Sequence, residues 1–223
     1  DTINQKEINI PYNNGSEYME KLYAEFNTGY SSKKVVKDNR IPEGTRGVYA
    51  RITDAVNDIN ERGMSGPVTF LLIDGLYGGA ENFPITINTN SAPGRELTIK
   101  PAPGVSTELY GFADCIMKIY NHGSVIIDGS NVTDGISRDF VIESLNANGV
   151  PIWVGSADSV ITNVTVKNCV LTGGSQNNGY GVVNIFSGNT MGFHGKYSGI
   201  TVMNNLLGNS SMGVYLYGQN SGT

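Results

Sequence analysis

The sequence predicts an all-β fold, a single-stranded right-handed parallel β-helix (solenoid) with an N-terminal amphipathic capping helix. Three observations lead there. From SGPVTFLLIDGLYGG to the end, short β-branched runs of four to six residues alternate with clusters of Gly, Asn, Ser and Asp. Four of these runs, SVIIDG, DFVIESL, NVTVKNCV and GITVMNNL, align on their apolar pairs, so that Ile126, Ile142, Val166 and Val202 form one column and Asp128, Ser144, Asn168 and Asn204 another. A second motif, GVPIWVG, GVVNIFSG and GVYLYG, places Gly149, Gly181 and Gly213 at a constant interval of 32 residues. A coil that cannot bury its apolar side alone closes a core by stacking on its neighbours, and strands joined by turns instead of hairpins then pair in parallel.

The elements follow in order. Residues 1–44 form an N-terminal extension that holds six of the fifteen basic residues, with a helix-compatible stretch, SEYMEKLYAEF, in which Tyr18, Leu22 and Phe26 recur at four-residue spacing. Residues 45–63 are the capping helix: Val48, Ile52, Ala55, Val56 and Ile59 share one face and Gly63 supplies a stop. A cap is expected because a bare solenoid end exposes strand edges and core. Residues 64–223 are the solenoid. The interval from Ile126 to Ile142 is short for a whole coil, so those two runs are expected as successive strands of one coil. At the other end the sequence stops at YLYGQNSGT, shortly after a repeat motif, and a partner or further chain is expected there.

Composition narrows the function. The chain has 223 residues, 16% of them charged, a formal net charge of -5, 29 Gly and 25 Asn. The acidic balance sets nucleic acid aside, since phosphate tracking needs clustered Lys and Arg. No apolar run is long enough to span a membrane. Cys115 and Cys169 lack ligand or redox spacing and read as buried free thiols, with a disulfide between them the lesser alternative. His122 and His194 each sit beside Gly in turn sequence without a ligand-spaced partner, so no metal site is expected on them.

The succession YARITDAVNDINERGMSGPVTFLLIDGLY, LTIKPAPGV, SVIIDGSN, SRDFVIES and NVTVKNCVLTGGS resembles the right-handed parallel β-helix (pectate-lyase-like superfamily) surface proteins of Bacteroidetes, over roughly residues 46–218. The resemblance implies a secreted or cell-surface setting. It also implies polysaccharide as a partner and, in the enzymes of the superfamily, lyase or hydrolase activity on uronate-containing glycans.

Two groups of residues could carry such a function. Asp128, Asp134 and Asp139 with Arg138 lie within twelve residues and would supply the carboxylates and the base of a Ca²⁺-dependent lyase; Ca²⁺ enters only through that alternative. In DGSN and VTDG the same Asp residues also serve as turn formers. The second group is aromatic. If Val150 and Ile152, Val183 and Ile185, and Val214 and Leu216 point inward, Trp153, Phe186 and Tyr217 point outward as a column of rings suited to pyranose faces. The alternative has those rings inside, or covered by the extension through Tyr12, Tyr18, Tyr23 and Tyr30. The leading expectation is a domain that binds or displays against polysaccharide with no evident catalysis. The alternatives are a lyase or glycoside hydrolase and a structural stalk or adhesin module.

Overall fold

The computed structural model describes residues 22–26, 47–157, 159–187 and 195–218. Strands β1 (Leu22–Phe26) and β2 (Gly47–Tyr49) and helix α1 (Ile52–Arg62) precede the solenoid. Fifteen strands then wind through three parallel sheets. Sheet A holds β3 (Val68–Leu72), β6 (Leu97–Pro101), β9 (Val125–Asp128), β12 (Ile161–Lys167) and β15 (Tyr197–Met203). Sheet B holds β4 (Leu76–Tyr77), β7 (Thr107–Gly111), β10 (Phe140–Ser144), β13 (Cys169–Ser175) and β16 (Leu206–Ser210). Sheet C holds β5 (Ile85–Ile87), β8 (Cys115–Tyr120), β11 (Val150–Gly155), β14 (Gly181–Ile185) and β17 (Met212–Leu216). Four full turns carry β3 onto β15, and the protein is a parallel β-solenoid.

The core is made by stacking like on like. In sheet A, Phe70, Ile99, Ile127, Val166 and Val202 lie one above another; in sheet B, Tyr77, Leu109, Ile142, Leu171 and Leu207; in sheet C, Ile85, Met117, Ile152, Val183 and Val214. Period-two alternation sends every second residue inward, so one apolar residue per two suffices to build each wall. Through the first four tiers these inward residues are buried.

The columns read from the sequence are corrected in three places. Val166 does stack on Val202, but its partner below is Ile127; Ile126 faces outward between Thr98 and Thr165. Ile142 belongs to sheet B, so the short interval from Ile126 does separate successive strands of one coil. Ser144 ends β10 and donates to the Ala113 carbonyl at 2.9 Å, away from the Asn column. The rest of that column holds: Asn168 Nδ2 donates to Asp128 Oδ1 and Asn204 Nδ2 to Asn168 Oδ1, each at 2.7 Å. Asn168 (φ 59°) and Asn204 (φ 51°) turn the chain from sheet A to sheet B in the left-handed region that Asn tolerates. Beneath them lies Gly129, where a Cβ would meet the Asn168 carbonyl oxygen at 1.8 Å, so only glycine admits this approach.

At the N-terminal end, α1 buries Ile52, Ala55, Val56 and Ile59 in the same core as Val68, Phe70 and Ile85. The helix begins seven residues later than the sequence suggested: Val48 lies in β2, because residues 47–49 pair antiparallel with β1. Likewise Leu22–Phe26, expected as helix, is a strand laid antiparallel on the edge of β3. Strand β3 otherwise has a free row of backbone groups, and covering that edge outweighs a four-residue apolar spacing. Position 51 gives α1 no side-chain cap. Instead Glu81, from the loop of the first coil, accepts from Ile52 N at 2.9 Å, Thr53 N at 2.8 Å and Thr53 Oγ1 at 2.6 Å. Buried Asp58 accepts from Tyr49 Oη at 2.8 Å and pairs with Arg62 at 3.1 Å, tying helix to β2. Burial, reinforced by the charge of Asp58, holds the Tyr49 phenol well above the ordinary tyrosine range. Cys115 and Cys169 are free, buried and on different sheets.

Candidate functional site

Strand alternation that sends Ile152 and Val154 inward sends Trp153 to the outer face of sheet C. In register with it run Thr86, Lys118, Asn184 and Tyr215. Phe186, directly after β14, brings its ring within 5.2 Å of Trp153, and Tyr180 and Tyr215 stand 6.1 and 5.8 Å from Phe186. These tilted and edge-on geometries suit the ring quadrupoles. Together with Cys115 and Val150 the rings form a second apolar cluster, separate from the main core. Trp153 (8% exposed) and Phe186 (0%) are its floor, while Tyr120, Tyr180 and Tyr215 are half-buried. The Trp153 indole donates to the Ser187 carbonyl at 3.1 Å, which locks the ring. Lys118 Nζ lies 4.1 Å from the Trp153 ring centroid and 4.6 Å from that of Tyr120. Burial lowers the Lys118 pKa from its ordinary value.

Of the three rings expected together, Trp153 and Phe186 meet. The glycines recur every 32 residues, but β11, β14 and β17 stack with an offset of 31: Gly181 lies opposite Met212, not Gly213. Val214 and Leu216 keep the inward places expected of them, over Val183 and Ile185, so Tyr215 between them takes an outward place, and Tyr217 lies past β17, its carbonyl accepting from Tyr197 Oη. Setting Ile152/Val154, in place of Val150/Ile152, against Val183/Ile185 and Val214/Leu216 centres the column on Trp153, Asn184 and Tyr215 and, one coil lower, on Lys118. Tyr12, Tyr18 and Tyr30 lie outside the described residues, as does His194, and only the backbone of Tyr23 is described.

At the foot of the same column, between α1 and the edge strand β5, lies a cleft of about 380 Å³. Asn57, Asn60, Asn82, Asn88 and Thr86 line it together with Val56 and Ile85, and among the described residues no charged side chain lines it. Asn60 fixes its width, donating to the Thr86 carbonyl at 2.7 Å and accepting from Asn88 N at 2.9 Å.

The acidic group sits elsewhere, on the loop after β9. Asp128 is buried, its Oδ1 accepting from Ser130 N at 3.0 Å and from Asn168, its Oδ2 paired with Lys167 at 3.2 Å. Arg138 donates through Nε to the Asn204 carbonyl and through Nη2 to Asn204 Oδ1, each at 2.7 Å. Asp139 accepts from Asn131 N at 3.2 Å, and Asp134 (φ 53°) occupies an exposed turn. With Lys100 donating to the Val132 carbonyl at 3.3 Å, the loop is a strap laid along the corner of sheets A and B from the second tier to the fifth. Asp128 and Arg138 are thus occupied by structural partners. Among the described residues, no three His, Cys, Asp or Glu side chains converge.

No protein-family model matches the chain, and comparison with curated proteins and with solved structures returns no match.

Proposed function

We propose that this solenoid binds polysaccharide along the outer face of sheet C, without catalysis, at the cell surface or after secretion. The observation that carries the reading is the register column of Lys118, Trp153, buried Asn184 and Tyr215 on that face, with Tyr120 under the Lys118 ammonium and Tyr180 packed on Tyr215. Trp153 and Phe186 act as rigid backing, and the half-buried tyrosines offer ring faces to pyranose C–H groups and hydroxyls to sugar oxygens. The amide-lined cleft at the foot of the column extends the same surface with donors and acceptors of neutral charge. Strands spaced by about 4.8 Å place successive groups where an extended chain can meet several of them. The resemblance of the sequence to surface β-helix proteins supports the extracytoplasmic setting. The Lys118 ammonium, held over two rings, favours a chain containing anionic sugars.

Affinity electrophoresis against neutral and uronate-containing polysaccharides tests this. Tyr215→Ala and Tyr120→Ala should each weaken retention by about tenfold or more, and Lys118→Gln should remove the preference for the anionic polymer. Retention unchanged in all three variants would eliminate this face as the binding surface. If the wild-type chain is retained by no polysaccharide, the stalk or adhesin reading takes its place.

A further inference from the structure

The cleft beside α1 is built differently from the ring-lined face above it. One wall is the helix, which contributes Asn57 and Asn60; the other is the loop into β5 and the strand itself, with Asn82, Pro84 and Asn88. Asn60 spans the two walls. Its side chain takes the Thr86 carbonyl and the Asn88 N–H, main-chain groups on the side of β5 away from β8. The Asn82 main chain is fixed as well, its N–H donating to Thr53 Oγ1 at 3.0 Å. Among the described residues, no hydrogen bond engages the side-chain amides of Asn57, Asn82 or Asn88, and all three residues are exposed. Neutral donors and acceptors therefore stand on both walls, with the exposed Pro84 ring beside them, and among the described residues no aromatic side chain lines the space.

We infer that this cleft is the subsite for a sugar carrying an N-acetyl group. The inference rests on the polysaccharide reading for the kind of ligand and adds which sugar the cleft takes. A trans secondary amide points its N–H and its C=O in opposite directions. An acetamido group set across the cleft therefore donates to an Asn Oδ1 on one wall and accepts from an Asn Nδ2 on the other, while its methyl group meets Pro84. An ionic group finds no counter-charge in this lining, and a nucleobase finds no ring to stack on. A peptide carries the same amide, but an edge strand captures a peptide by main-chain pairing, and Asn60 already occupies those groups of β5. The volume of about 380 Å³ lies at the small end of ligand sites, which run from about 300 to 1,000 Å³, and suits one sugar of a chain. Thr86, in the lining, stands in register with Lys118 one tier up, so the next sugars of the same chain reach the ring-lined face.

Calorimetric titration of the 223-residue chain with triacetylchitotriose and with cellotriose tests this, because the two trisaccharides differ in having acetamido groups or hydroxyls on one backbone. The N-acetylated trisaccharide should bind at least about tenfold more tightly. Asn57→Ala and Asn88→Ala should each reduce that preference by about threefold or more. Their amides hold nothing else among the described residues, so the thermal unfolding midpoint should be unchanged. Asn177→Ala, exposed in the turn after β13, is the matched control and should keep the full preference. An end-blocked alanine tripeptide should not compete. The assignment is overturned by cellotriose binding as tightly as its N-acetylated counterpart, by a tripeptide that competes equally, or by a full preference in both Asn57→Ala and Asn88→Ala. Absence of trisaccharide binding up to millimolar concentration also overturns it; if polysaccharide is still retained, the reading of the ring-lined face stands, and if none is retained, both fall together.

Discussion

Asn168 concentrates several physical demands in one side chain. Its amide joins Asp128 below to Asn204 above, it reaches the Gly135 carbonyl on the strap at 3.2 Å, and its backbone turns at φ 59°. Replacing it with Ala removes the hydrogen bonds to a buried carboxylate and places a Cβ-bearing residue without a local polar side chain in the left-handed region. Asn168→Gly removes the same bonds but relieves the backbone. Asn168→Ala should therefore cost about 2–4 kcal/mol and Asn168→Gly about 1 kcal/mol less, read from urea unfolding midpoints. If Gly proves equal to or worse than Ala, the turn conformation is not what selects Asn here. This column was legible in the sequence because identical residues at equivalent corners announce a ladder. The ring cluster was only half legible. A polar corner residue marks its own position, whereas the column through Tyr215 depends on which apolar pair of β11 is set against Val183 and Ile185.

Among the elements, α1 was visible in its apolar periodicity, but its start was not, because the group that caps it comes from 30 residues downstream. Glu81 satisfies two of the orphan N–H groups of the first turn and places a carboxylate at the positive end of the helix. Glu81→Gln keeps the shape and an acceptor while removing the charge, and should cost about 1–2 kcal/mol; Glu81→Ala leaves buried donors unpaired and should cost about 2–4 kcal/mol. Both should speed amide exchange across residues 52–62 ahead of that in β6 or β9. Uniform acceleration through the whole solenoid would instead mean that helix and first tier open as one unit. Strand β1 was not legible at all: its sequence carries a helical spacing, and what makes it a strand is the open edge of β3 lying over forty residues away in the chain. Local pattern cannot reveal a demand set by a distant partner.

For the whole molecule, the repeat disclosed the parallel solenoid, and the same stacking that makes it readable makes it sensitive to alkali. Continuous columns leave little room for water, so ionisable residues that join the walls keep their protons. Burial is the principal cause that raises the pKa of Cys115, Cys169 and Tyr77 as well as Tyr49 above their ordinary values. All four are acids whose folded form holds the proton longer than the unfolded form does. Below about pH 8 both states are protonated, and the full stability is present. As pH rises past the ordinary cysteine and then tyrosine values, the unfolded chain loses protons that the folded chain retains, and stability falls by up to about 1.4 kcal/mol per pH unit for each group. Urea unfolding under reducing conditions should therefore show a midpoint that is flat from pH 7 to about 8.5 and drops with increasing steepness toward pH 11. Replacing both cysteines with Ala lowers the midpoint at every pH through lost packing, so the slope is the decisive quantity. It should fall by about half between pH 9.5 and 11, because two of the four groups are gone. A slope identical in wild type and the double variant would place the alkaline sensitivity outside the two thiols, and a midpoint that stays flat to pH 11 would mean that water reaches these columns.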